Sequence, residues 1–495
     1  MLRLSLTFDE SGHVEFGRSV LERRAAADPM QKMAISLINA LPVHWLGMVG
    51  VRPSDETLVF LSRLPTVLAA LVLGALVFAW STRLYGPLGG LLSTTLYALC
   101  PSVLAHSQLA TNDLYAACLM LASTMLVVRY LESPTLSRAL LCAAVTGVAQ
   151  VTKQTALLLV PTFGVLWILA VARARWSRQA LLRGLTHGAL AVLVVLLVVN
   201  AAYLFRESFL PARVYLEAYR EALPAARASS IIMALASLAT LAPGLPVPLP
   251  SAYAHALLFG IHANALGLGH GPIYLLGQLD PMGWWYYFLV VLLLKTPLPV
   301  LILLVAAGAL SDPWIRKRPL DEIALWLAPV VIFAFFSFAC TAQLGIRYLL
   351  PMLPFLHVAI GKVAVHVPRH VLTPLYRVAV GLLVAWSAVS TLSFHPHYLS
   401  YFNELIGDRK NMYRYLADSN VDWGQNGHDL QRYLAANRDR PLAINPATPV
   451  DGRVIVNVNM LVGVLAPAEQ FRWLRELEPV DHIGYGLLVY DVPRR

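Results

Sequence analysis

The sequence predicts a mainly α-helical bundle that crosses a membrane about ten times, carries amphipathic helices in its outer loops, and ends in a small α+β module. Three observations carry that expectation. Of 495 residues, 58% are hydrophobic and only 13% charged, and the mean hydropathy is +0.62, whereas soluble proteins are about one quarter charged. Apolar runs close to the roughly 20 residues needed to cross a bilayer follow one another through the middle of the chain. The basic residues gather in alternate short connections, so the formal net charge of +10 reads as membrane orientation rather than as a polyanionic partner.

Residues 1–57 hold no spanning run and no apolar leader of the signal-peptide kind. Two amphipathic segments, about 13–24 and 30–41, flank Asp28-Pro29, and such helices commonly lie along a membrane surface. The spans are placed at about 58–80, 88–105, 114–131, 138–152, 155–172, 185–205, 284–309, 322–340, 348–366 and 371–393. Arg83, Arg129, Arg138, Arg173, Arg175, Arg178, Arg183, Arg316, Lys317, Arg318, Arg369 and Arg377 lie in the connections after odd-numbered spans. By the positive-inside rule that set is cytoplasmic. Both termini, the 106–113 turn, Lys153, the 206–283 loop, Arg347 and everything after Phe394 then share the outer face.

The long outer loop has three parts. Residues 206–232 alternate charged and apolar residues at helical spacing. Pro243 to Pro250 holds four prolines and cannot be helix interior. The run Gly267-Leu268-Gly269-His270-Gly271 lets the backbone come close to another group, a phosphate or simply a neighbouring turn. The tail, 394–495, is soluble in composition, with helical patterns near 427–436 and 466–477 and strand-like runs at 454–458 and 487–490. Cys100, Cys118, Cys142 and Cys340 lie in apolar runs without paired spacing and read as buried hydrophobes.

Several polar groups on the outer face have chemistry to offer. Asp9-Glu10 pairs two carboxylates: one can take a proton from an acceptor hydroxyl or amine while the other holds it in place, or both are solvated surface. His106 to Asp113 is a polar turn at the edge of two spans, where Asp113 lines a cavity or caps the following helix. Lys32, Lys153 and Arg347 are isolated cations suited to a phosphate, or to snorkelling among headgroups. The segments 394–404 and 418–425 are dense in aromatic and polar residues, which also describes an interfacial belt. His395 and His397 lack a third ligand at a metal-binding spacing.

Taken together and in order, these stretches resemble a known family. Phe8-Asp9-Glu10 with Gly12-His13-Val14, Ser62-Arg63-Leu64-Pro65, Tyr85 to Gly90, Pro101 to Asp113, Lys153, Gly283 to Phe288, Lys295-Thr296-Pro297-Leu298-Pro299, Gly345 to Pro351, Pro396 to Glu404 and Asp418 to Gln425 are similar to bacterial lipid-carrier-dependent glycosyltransferases of the GT-C architecture. These are related to protein O-mannosyltransferases and the lipid A aminoarabinose transferase. The resemblance implies an enzyme of the bacterial cytoplasmic membrane, acting at its outer side on a polyprenyl-phosphate sugar. It implies Asp9 as catalytic base with Glu10 beside it, and Lys153, Arg347 and Lys32 as donor-phosphate contacts. His106, Asp113, His270 and Tyr348 would line the cavity.

Relatives carry a transmembrane helix ahead of the acidic pair, so a first helix is expected upstream of Met1. Their His-Pro-Pro-Leu stretch is here Asp28-Pro29-Met30-Gln31-Lys32. The donor phosphate supplies the leaving group, so no nucleotide site is required, and no Rossmann or P-loop pattern is present. Asp9, Glu10 and Asp113 have the oxygen chemistry for a divalent cation, which leaves metal dependence open. The acceptor is a glycan, lipid or protein, with no nucleic acid expected. A lipid-linked-glycan transporter or flippase, or a non-catalytic membrane scaffold, shares the polytopic composition.

Overall fold

The computed structural model describes residues 3–22, 33–51, 53–215, 217, 237, 240–268, 270–310, 318–365, 373–439 and 441–493. Lys32 and most of the 206–232 segment lie outside the described residues.

Helix α1 (Phe8–Leu21) starts at a capping box in which the Glu10 carboxylate turns back to the Thr7 N–H at 2.9 Å, satisfying a donor that the helix start leaves free. It packs on α2 (Leu37–Met48). At Gly17 the two segments touch so closely that a Cβ would stand 2.2 Å from the Ser36 carbonyl oxygen. Helix α3 (Asp55–Ala98) has Ser54 as N-cap and Asp55 and Glu56 in its first turn, where negative charge complements the helix dipole. It contains Gly86 at φ 74° just before Pro87. Gly86 divides it into two helices that fold back on each other, Tyr97 donating to the Ala70 carbonyl at 2.7 Å and Ser81 Oγ lying 2.9 Å from Ser93 Oγ, so the two spans expected separately are both present, joined at a glycine that tolerates that φ.

Then come α4 (Pro101–Ser107), α5 (Asp113–Glu132), α6 (Leu136–Gln150), α7 (Leu159–Arg173) and α8 (Arg178–Ala202). After the proline-rich stretch, α9 (Ser251–Leu266) leads to a hairpin of β1 (Ile273–Leu275) and β2 (Gln278–Asp280). Helices α10 (Tyr287–Lys295) and α11 (Leu298–Ala309) meet at 112°, because Pro297 and Pro299 remove the donors a continuous helix needs. The bundle closes with α12 (Pro319–Phe338), α13 (Leu353–Ile360) and α14 (Thr373–Leu392).

Among the described residues six helices are long and apolar enough to cross a membrane, or seven if the bent α10–α11 pair is one span. The chain is a multi-pass membrane protein. The difference from ten comes from counting the two helices of α3 as one and from 136–150 and 350–365, apolar helices too short to cross alone.

The tail holds α15 (Gly427–Ala436) and a mixed sheet of β3 (Leu442–Ile444), β4 (Gly452–Asn457), β5 (Asp481–Ile483) and β6 (Leu487–Val492) in the order β3-β4-β6-β5. Val454, Ile455, Val456, Leu488, Val489 and Tyr490 are buried. The helix expected over 466–477 shrinks to Arg472–Arg475. Within the tail, Asp422 accepts from Asn457 at 2.5 Å and Asn426 at 3.0 Å, tying the 418–426 segment to the sheet. All four cysteines are free thiols, three of them buried.

Candidate active site

The first turn of α1 places its two acids differently. Glu10 points inward and is fully buried. Its carboxylate accepts from Arg63 Nε and Nη2, both at 2.8 Å, and from the Ala110 N–H at 2.9 Å, besides Thr7. Arg63 in turn donates to the carbonyls of Leu4 and Ser5 at 3.1 and 2.8 Å. With its oxygens engaged in this two-point pair, Glu10 is arranged to hold α1 against α3 and the 106–113 turn rather than to exchange protons.

Asp9 points the other way and keeps 34% of its side chain exposed. Its Oδ2 accepts from Arg347 Nη1 at 2.8 Å. Arg347 comes from the 3₁₀ turn Ile346–Tyr348, which Asn420 pins by accepting the Ile346 N–H at 3.1 Å. The guanidinium lies over the Trp423 ring at 4.3 Å and near Tyr348 at 5.6 Å, which orients its plane while leaving Nε buried and unpaired among the described residues. The same segment fixes α1: Phe8 N–H donates to Trp423 O at 3.0 Å, and Ser5 N–H to Gln425 O at 3.1 Å.

A second ion pair lies alongside. Lys153 Nζ donates to Asp113 Oδ1 and stands 5.1 Å from the centre of the Tyr348 ring, which Arg347 also approaches. Asp113 is the first residue of α5; Asn112 occupies the N-cap position, which corrects the capping role offered for Asp113.

His106, on α4, is buried against Trp423, with ring centroids 6.1 Å apart. Neither ring nitrogen has a hydrogen-bond partner among the described residues. Burial lowers its pKa to about 4, Asp113 opposing and Arg347 and Lys153 assisting, so the ring is neutral at neutral pH. Asp418, at φ 57°, is pushed upward by burial and drawn back by Arg347, with Asp9 and His270 among its other electrostatic neighbours. His270 thus borders the same group, its Nδ1 within 2.9 Å of Gly271 O.

The structure therefore brings Asp9, Glu10, His106, Asp113, Lys153, Arg347 and Tyr348 to one end of the bundle, with His270 at its edge. Among the described residues no three His, Cys, Asp or Glu side chains gather as a metal-ligand set. Asp9, Glu10 and Asp113 each face a cation of their own, so they do not form the oxygen cage a divalent ion requires.

Four residues without an assigned role belong here as well: Arg63, Trp423, Asp418 and Lys295. Buried Lys295 donates to the carbonyls of Leu399 and Asn420 at 2.7 and 2.6 Å. An ionisable residue closing an apolar run was the signal available for Arg63 and Lys295.

Comparison with known proteins now bears on this arrangement. Residues 56–203, from α3 through α8, match the family described as dolichyl-phosphate-mannose-protein mannosyltransferase. The matched stretch supplies Arg63, His106, Asp113 and Lys153, whereas Asp9, Arg347 and Trp423 come from outside it. No curated protein matches the chain. Among solved structures, the apo form of ArnT from Cupriavidus metallidurans is similar at a TM-score of 0.48 and 15% identity, over 83% of this chain and 64% of that one. The form of the same protein bound to undecaprenyl phosphate gives 0.45 and 14%, over 80% and 68%. The chain thus spans a little under two thirds of the first of these.

Proposed function

We propose that the chain is a membrane glycosyltransferase that moves a sugar from a polyprenyl-phosphate donor to an acceptor glycan, lipid or protein, at the outer face of a bacterial cytoplasmic membrane. The observation that carries this reading is the pairing of half-exposed Asp9 with Arg347 beside the Lys153–Asp113 pair. It offers one accessible carboxylate, two cations and a neutral imidazole at the rim of an apolar bundle.

The chemistry is a single displacement. The acceptor oxygen or nitrogen attacks the anomeric carbon from the face opposite the phosphate, its proton passes to Asp9, and the anomeric C–O bond breaks with its electron pair leaving on the lipid phosphate. Arg347 and Lys153 stabilise that developing charge. Arg347 holds Asp9 before the donor arrives; turning toward the phosphate, it releases a carboxylate able to take the proton. His106, buried with both ring nitrogens unpartnered among the described residues, sits behind these groups as a neutral ring. The base charge of the cytoplasmic loops and the shared position of these groups support the outward orientation.

The test is incubation of the purified chain with a panel of polyprenyl-phosphate sugars and analysis of the product's anomeric configuration. Transfer with inversion is expected. Retention of configuration would overturn single displacement, and no transfer from any donor would count against the enzyme.

A further inference from the structure

We propose that the end of the bundle opposite Asp9 binds the phosphate headgroup of an anionic bilayer lipid. A cavity of about 460 Å³ lies there between α3, α5 and α6, lined by Arg83, Arg129, Arg138 and Glu132 with Leu126 and Leu141. Its depth in the membrane follows from helix geometry. Arg83 lies about 30 Å along α3 from Arg63, and Arg129 about 24 Å along α5 from Asp113, at ~1.5 Å per residue. Those lengths approach the ~30 Å of a bilayer's hydrocarbon core, so the pocket belongs to the other leaflet.

Its charge is not balanced from within. Glu132 is engaged by Arg83 and, at 3.5 Å, by Arg318; Asp321 takes Arg83 at 3.3 Å. Arg138 Nη1 is fixed by the carbonyls of Arg129 and Ser133, both at 3.2 Å, neutral groups that orient the guanidinium without cancelling it. Among the described residues the Arg129 guanidinium has no ion pair and Arg83 Nε, though buried, has no hydrogen-bond partner. Loop arginines that only orient a chain need no concave setting. Here an oriented guanidinium and an open one flank one cavity, a donor array that a phosphate accepts at several points. Exposed Leu141 continues the wall as an apolar surface, which suits the glycerol and acyl portion of a lipid better than a free anion.

The experiment is native mass spectrometry of the full chain released from nanodiscs of equal phosphatidylglycerol and phosphatidylcholine. Retained phosphatidylglycerol is expected in at least fivefold excess, falling at least fivefold in Arg129→Gln/Arg138→Gln and unchanged in Arg472→Gln on the tail surface. Arg129→Gln alone, which removes no described contact, serves should the double variant fail to fold. Equal retention of both lipids, an unaltered excess in the arginine variants, or displacement of the lipid by millimolar inorganic phosphate would each overturn the assignment. The result is independent of whether the opposite end transfers sugar.

Discussion

Glu10 and His106 show how burial divides polar residues of one site into holders and reactants. Glu10 saturates its oxygens on Arg63, Thr7 and Ala110, so Glu10→Gln leaves a buried guanidinium without its counter-charge. A loss of about 3–5 kcal/mol is expected from breaking one side of a buried pair, read as a lowered thermal midpoint in detergent with transfer falling in parallel. His106 behaves oppositely. Its folded-state pKa, lowered to about 4 by burial, lies below the ordinary value of ~6.5. The unfolded chain therefore takes up the proton first, and the stabilisation held by the neutral ring is complete above ~6.5 and lost progressively as pH falls toward 4. Thermal midpoints measured over that window should decline less steeply in His106→Gln than in the native chain. A parallel decline would show that His106 does not contribute to the acid sensitivity.

At the scale of elements, α1 decides where the accessible carboxylate stands. It is held at its start by the 423–427 segment and along its length by contact at Gly17 with the backbone of Ser36. A methyl group at Gly17 has no room, so Gly17→Ala must displace α1 and Asp9 with it. A stability loss of about 1–3 kcal/mol, typical of overpacking, is expected together with reduced turnover. Gly47→Ala, on α2 with nothing near its added carbon, should change neither; both are read by thermal denaturation and initial rates. Helix character and the tail strands were legible from periodicity. The turn at Gly86 was legible as well, because Gly-Pro between two apolar runs marks a connection, and α3 reverses there. The bent α10–α11 pair announced itself by Pro297 and Pro299, yet its 112° angle depends on packing that no local pattern encodes.

For the whole molecule, the assembly of the site depends on contacts across hundreds of residues. Asp9 meets Arg347, Glu10 meets Arg63 and Ala110, and Asp113 meets Lys153. Alternating loop charge made the shared face of Asp9, Asp113, Lys153 and Arg347 legible in the sequence, since parity of spans assigns sides without knowing contacts. Which cation pairs with which acid was not legible, because it follows from the rotation of each helix about its axis. Arg63, part of the quoted run Ser62-Arg63-Leu64-Pro65, received no role for the same reason: buried in α3, it carries no exposed signature beyond one charge in an apolar run. Trp423, which orients Arg347, lies 415 residues beyond Phe8, whose N–H it binds through its carbonyl.

The central claim is that Asp9, released by Arg347, takes the acceptor's proton. Single-turnover transfer by Asp9→Asn, with gel filtration and thermal midpoint matching the native chain, tests it most directly. A loss of at least a hundredfold, the lower range for a general base, is expected with donor binding retained. Native turnover by the folded Asp9→Asn chain would contradict the account.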